Sequence, residues 1–161
     1  MMRFFSLRPR LLCVSVVAFF FFPREALALI TSCTITTTAH AFGNYNVFSG
    51  PPLNTTSNIR IRCTGSGANP IGAVTVTLSK GAAPMYNPRT MVFGVNTLTY
   101  NLYFNAARTQ IWGDGTGGTV VWTRSVNGNT NYSRTVYGRI PAGQDAFAGA
   151  YTDTIVATIL W

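Results

Sequence analysis

Histidine occurs once in this chain, at position 40, lysine once, at position 80, and acidic side chains only four times. These shortages exclude most site chemistries. One histidine cannot build a His-based metal cluster. A nucleophilic triad would have to use His40, which lies between Ala39 and Ala41 with no motif around it. Beyond Glu25 the acids are Asp114, Asp145 and Asp153. Glycoside hydrolysis needs two carboxylates flanking one bond. Here Asp114 stands in a Gly-rich turn, where Asp stabilises backbone geometry, and Asp153 stands in a strand pattern. The stretch 113–118, Gly-Asp-Gly-Thr-Gly-Gly, lacks the Lys-Ser/Thr of a P-loop and the spaced acids of a calcium loop. It reads as a flexible hairpin connection. The expectation is a non-enzymatic protein with no catalytic residue, cofactor or metal.

The long apolar run is at the start. Arg3, Arg8 and Arg10 precede a largely apolar stretch over 11–22, and Ala26-Leu27-Ala28 supplies an A-x-A cleavage site. A membrane span needs about 20 apolar residues, and Pro23-Arg24-Glu25 ends this run too early. Residues 1–28 therefore read as a cleaved secretory signal, cut between Ala28 and Leu29, with one domain over 29–161. No second apolar stretch is long enough to span, so no stable membrane insertion is expected after cleavage. The product is exported and either soluble or assembled on a surface.

Past residue 28, eight basic residues face three aspartates, a net charge of +5. The arginines are scattered. Arg60 and Arg62 alternate with Ile59 and Ile61 as the wet face of a half-buried strand. Nucleic-acid binding needs a clustered basic stripe or a recognised module, and neither is present. Cys13 leaves with the signal. Cys33 and Cys63 remain, and an exported pair predicts a disulfide; two cysteines without nearby histidine make a poor zinc site.

The remaining chain of about 133 residues suffices for one cored domain. Period-two alternation predicts strands at 33–37, 59–63, 74–78, 98–104, 120–122, 135–137 and 155–161. Turn clusters separate them at 50–52, 65–67, 113–118, 127–128 and 141–143. No helical periodicity occurs past the signal. Short strands at this spacing predict an all-β sandwich or barrel. Tyr100, Tyr103, Phe104 and Trp112 are expected to divide between its core and surface.

The last stretch, 151–161, is the most apolar. Tyr151, Ile155, Ala157, Ile159 and Trp161 share one face, which only Asp153 interrupts. Such a terminal strand either lies centrally or leaves part of a sheet open to a partner, because an uncovered edge is a pairing template.

Several segments in order resemble the spore coat protein U domain family, which includes subunits of archaic chaperone–usher pili of the Csu type. They are Phe42-Gly43-Asn44-Tyr45, Ile59-Arg60-Ile61-Arg62-Cys63, Arg89-Thr90-Met91, Leu98 to Tyr103, Asn105 to Thr109, Trp112 to Gly115, Tyr137 to Pro141 and Gly149 to Thr154. The resemblance covers nearly all of 30–161. It implies a single immunoglobulin-like sandwich lacking its final strand, which a periplasmic chaperone and then a neighbouring pilin supply by strand addition. Implied partners are that chaperone, an outer-membrane usher and other pilin subunits, with export through the periplasm to a pilus on the cell surface and a part in attachment and biofilm formation. The acceptor groove would be lined by the first and last strands, with Ile35, Ile155, Ala157, Ile159 and Trp161 as candidates. Cleavage after Ala28 leaves four residues before Cys33, too few to donate a strand at about 3.3 Å per residue. The chain is thus expected to accept a strand without giving one, as at a fibre tip or in a chaperone-bound or coat role, although family tip adhesins usually carry two domains. The alternative is a secreted spore or cell-surface coat protein that folds without a donor strand.

Overall fold

The computed structural model describes residues 29–67 and 71–161; the signal read over 1–28 lies outside them. Eight strands form: β1 Leu29–Thr37, β2 Leu53–Ser66, β3 Gly72–Leu78, β4 Arg89–Phe93, β5 Asn96–Tyr103, β6 Trp122–Val126, β7 Thr130–Ile140 and β8 Ala157–Leu160. A curled five-stranded sheet has the order β1-β2-β7-β5-β4, and a three-stranded sheet has the order β6-β3-β8. All ladder pairings are antiparallel. The all-β expectation holds. No helix among the described residues is long and apolar enough to cross a membrane.

Alternation places one face of each sheet inward. Ile59, Ile61 and Cys63 of β2, Val74, Val76 and Leu78 of β3, and Val136 and Ile140 of β7 are all buried. Trp112, fully enclosed, fills the space between the sheets. Its indole Nε1 donates to the Val76 carbonyl at 3.1 Å, and its ring meets Phe104 edge-on at 5.5 Å. Tyr100 is likewise buried, whereas Tyr103 and Phe104 are half-buried.

Cys33 and Cys63 are direct cross-strand partners in the β1–β2 ladder and form the expected disulfide. The bridge fastens a strand that has one neighbour only. It closes a 30-residue separation, for which the chain-entropy estimate is roughly 3–4 kcal/mol. Cys33→Ser is expected to lose about that much stability in urea denaturation; an unchanged midpoint would remove the bridge from the account.

Strands β1, β2 and β7 run well beyond their predicted ends, and three further differences from the sequence reading bear on the site. β4 was not expected, because five residues following an Asn-Pro and headed by a buried arginine show little alternation. Residues 120–122 contribute only Trp122 to β6, while Val120 forms an isolated bridge with Trp112. The last strand is shorter than the apolar face suggests. Thr152 exchanges two backbone hydrogen bonds with Val92 of β4, at 2.9 and 3.1 Å. Asp153 then redirects the chain to the other sheet, where β8 pairs with β3. Its carboxylate accepts from Ala82 N at 2.9 Å, Thr154 N at 2.8 Å and the Tyr100 hydroxyl at 2.7 Å. The one polar residue on the apolar face is therefore the pivot of a crossing between sheets. The 113–118 connection is held by its own side chains: Asp114 accepts from Thr116 N and Oγ1, and Thr119 Oγ1 accepts from Gly115 N.

Candidate functional site

β1 ends one sheet and β8 ends the other, each hydrogen-bonded on one side only, and the two edges approach one another. Near its start β1 is sealed: Ile30 and Cys33 are buried, and Gly65 is packed so closely against Ile71 and the Leu29 carbonyl that any Cβ there would collide. Further along the seal fails. Ile35 is only half-buried and residues 36–39 are exposed, while on β8 Ala157 and Ile159 are half-buried, inward-facing and opposite the buried Leu78 and Val76.

Where the edges part, a groove of about 420 Å³ opens onto the core. Its floor is Ile59, Val136, Leu102, Tyr100 and Met91, one inward side chain or more from each of β2, β7, β5 and β4. Its walls are the chain at 37–42 and at 151–157. A second depression of about 820 Å³, between residues 40–47 and 146–151, shares His40, Phe42, Met91 and Tyr151 with the first. The two adjoin through these shared residues, along the chain at 37–47 and 146–157. The groove therefore offers apolar depressions between two incompletely paired backbone edges, the requirements for seating an extended chain.

Of the candidates read from sequence, Ile155 and Ala157 line the groove. Ile35 and Ile159 pack against the core from the two facing edges without lining it. Trp161 follows the end of β8 and is 57% exposed. Leu29, the residue after the expected cleavage, is exposed at the start of β1. Alternation could have found the floor residues, but as core rather than as groove.

His40, singled out for its rarity, sits in the wall. Nδ1 lies 2.7 Å from Ser57 Oγ and Nε2 lies 2.8 Å from Thr55 Oγ1. The ring packs so closely on Gly138 that a Cβ there would collide with it. Burial, then the Arg108 charge, lower its pKa to about 4. Both nitrogens are engaged by hydroxyls, and with the pKa held well below 7 the ring is a neutral structural post at neutral pH. Its folded pKa lies below the ordinary 6.5, so the unfolded chain binds the extra proton between these values and stability falls as pH drops from about 6.5 towards 4. His40→Gln is expected to flatten that slope in pH-dependent denaturation; an equal slope in both proteins would contradict it. Among the described residues, no group of three His, Cys, Asp or Glu side chains could hold a metal ion.

Residues 21–158 match the family model described as the Spore Coat Protein U domain. The chain belongs to the Spore Coat Protein U domain family. No curated protein matches the sequence. Among solved structures, this spore coat protein U domain is similar to a chain in the crystal structure of the CsuC–CsuE chaperone–tip adhesion subunit pre-assembly complex from the archaic chaperone–usher Csu pili of Acinetobacter baumannii. The TM-score is 0.55 at 23% identity, covering 81% of this chain and 39% of that chain. This level of similarity shows a shared fold, and the domain spans well under half of the matched chain. The two antiparallel sheets with facing open edges fit an immunoglobulin-like sandwich that is incomplete.

Proposed function

We propose that this protein is a non-enzymatic subunit of an archaic chaperone–usher pilus whose groove accepts a β-strand, first from a periplasmic chaperone and then from a neighbouring subunit. The observation that carries this reading is the gap between β1 and β8. Each edge has an unpaired side, and the inward residues Ile35, Ile155, Ala157 and Ile159 remain half-buried although they face the core. An inserted strand would bury them and supply both edges with backbone partners, removing an exposed apolar surface and an open edge together. Delivery by an outer-membrane usher and display on the cell surface follow from the same reading.

The proposal includes cleavage between Ala28 and Leu29. Residues 29–32 then belong to β1, where Leu29, Ile30 and Ser32 pair with Ser66, Gly65 and Thr64. They are committed to the domain's own sheet, so the subunit accepts a strand and has none to give. Attachment and biofilm growth are part of the proposal because Phe48, Val95 and Phe147 are 94%, 97% and 73% exposed. Their loops adjoin: Tyr45 donates to the Pro141 carbonyl and accepts from Gln144 N, and the Phe93 ring packs against Gly149.

Periplasmic expression with and without a cognate archaic chaperone tests the reading. Recovery chiefly as a one-to-one chaperone complex is expected, with free subunit a minor and much less stable fraction. A stable, disulfide-bonded monomer obtained alone would show a self-sufficient fold and shift the function to a secreted coat protein of the spore or cell surface.

A further inference from the structure

The outer face of the five-stranded sheet has a different character from the groove. Strands β1, β2 and β7 contain no aspartate or glutamate. Their outward positions form cross-strand rows: Thr34 beside Arg62 and Asn131, Thr36 beside Arg60 and Ser133, and Asn54 beside Arg139. Two of the three arginines are held by neutral partners. Arg62 Nε donates to Asn131 Oδ1 at 3.0 Å and Arg139 Nε donates to Asn54 Oδ1 at 3.0 Å. The positive charge of this face is therefore not neutralised by any carboxylate of its own strands.

The face is also hollowed. A depression of about 480 Å³ is lined by Thr34, Thr36, Arg60, Arg62, Asn131 and Ser133, with Ile61 and Tyr132. It combines two guanidinium groups, three hydroxyls and one amide. Arg60 and Arg62 sit two residues apart on one strand face, a separation of about 7 Å at the rise of a β-strand. Guanidinium groups bind carboxylates bidentately, while hydroxyls and amides suit a ligand rich in hydroxyl groups.

We infer that this depression is a binding site for an acidic polysaccharide, with Arg60 and Arg62 taking successive carboxylates and Thr34, Thr36, Asn131 and Ser133 taking sugar hydroxyls. Charge complementarity argues for the anion. Among the described residues this shallow sheet surface bears no protruding helix or arm to enter a duplex groove, which argues for a sugar polymer over duplex DNA. The site lies on the opposite side of the sheet from the groove floor, so it stands or falls independently of strand acceptance.

The test uses the full-length protein exported to the periplasm, in whichever soluble form is recovered, alone or chaperone-bound. Its binding to polygalacturonate is compared with binding to neutral dextran and to duplex DNA at two salt concentrations. Retention by polygalacturonate, weakening with salt, absent on dextran and reduced at least tenfold in Arg60→Ser/Arg62→Ser is expected. Arg60→Lys/Arg62→Lys should keep the charge yet bind several-fold more weakly, since ammonium groups cannot bind bidentately. Both pairs are on the wet face, so circular dichroism should be unchanged. No retention, equal binding by the serine variant, wild-type affinity in the lysine variant, or stronger binding to DNA than to polygalacturonate would each overturn the assignment.

Discussion

Ala157→Trp is expected to abolish capture of a donor strand while leaving the domain folded and its disulfide formed. Ala157 has the smallest side chain on the inward face of β8, lies opposite Leu78, and lines the groove. Forcing even extra methylenes into a well-packed core costs about 1–3 kcal/mol through strain, so an indole in a closed core would be severely destabilising. Here the added ring has an open groove to enter, so folding is spared. The ring instead occupies the volume that an incoming side chain needs. Co-purification with an archaic chaperone is expected to fall at least tenfold, and Ala157→Ser is expected to behave as wild type. Normal complex yield from the tryptophan variant would place Ala157 outside the donor path.

The second large effect concerns the buried cation at the head of β4. Arg89 is fully enclosed without a carboxylate in hydrogen-bond contact. Its Nε and Nη2 donate to the Ser79 carbonyl at 3.1 and 2.9 Å, Nη2 also to the Trp112 carbonyl at 2.7 Å, and Nη1 to Asn101 Oδ1 at 2.8 Å. The guanidinium also faces the Tyr86 ring at 5.1 Å. Burial lowers its pKa, opposed by Tyr100, Tyr86 and Asp153. One side chain thus ties the segment after β3, the Trp112 segment and β5 together beside the groove floor. Arg89→Met retains much of the apolar stem but leaves the Ser79 and Trp112 carbonyls without this donor. At about 1–3 kcal/mol for each buried unsatisfied group, the expected loss is about 2–5 kcal/mol in urea denaturation of the soluble form. A loss below about 1 kcal/mol would mean that water or a shifted backbone replaces the guanidinium.

Much of the fold was legible because alternation is a local signal. Ile59, Ile61 and Cys63, or Val74, Val76 and Leu78, declare an inward face within five residues. The Cys33–Cys63 bridge followed from export chemistry. What stayed hidden depends on non-local pairing. Asp153 looked like a defect in a long final strand, whereas Tyr100, far away in sequence, and the Thr152–Val92 bridge make it the point where the chain changes sheets. Arg89 carried no sign of burial, since its partners are mostly backbone carbonyls. The groove was partly legible: Ile155 and Ala157 follow from the last apolar face. Its floor could not be told from ordinary core, because Ile59, Val136 and Leu102 obey the same alternation as residues that are fully covered. What sets them apart is a missing neighbour between β1 and β8, strands at opposite ends of the domain sequence.

That missing neighbour is most directly tested by amide hydrogen exchange on the subunit–chaperone complex, compared with the same subunit released from it. With a strand inserted between β1 and β8, amides on the unpaired sides of both strands become protected in the complex, while the outer edge of β6 is unchanged. Protection confined to β6 or to β4, or no change at β1 and β8, would contradict a strand-accepting groove.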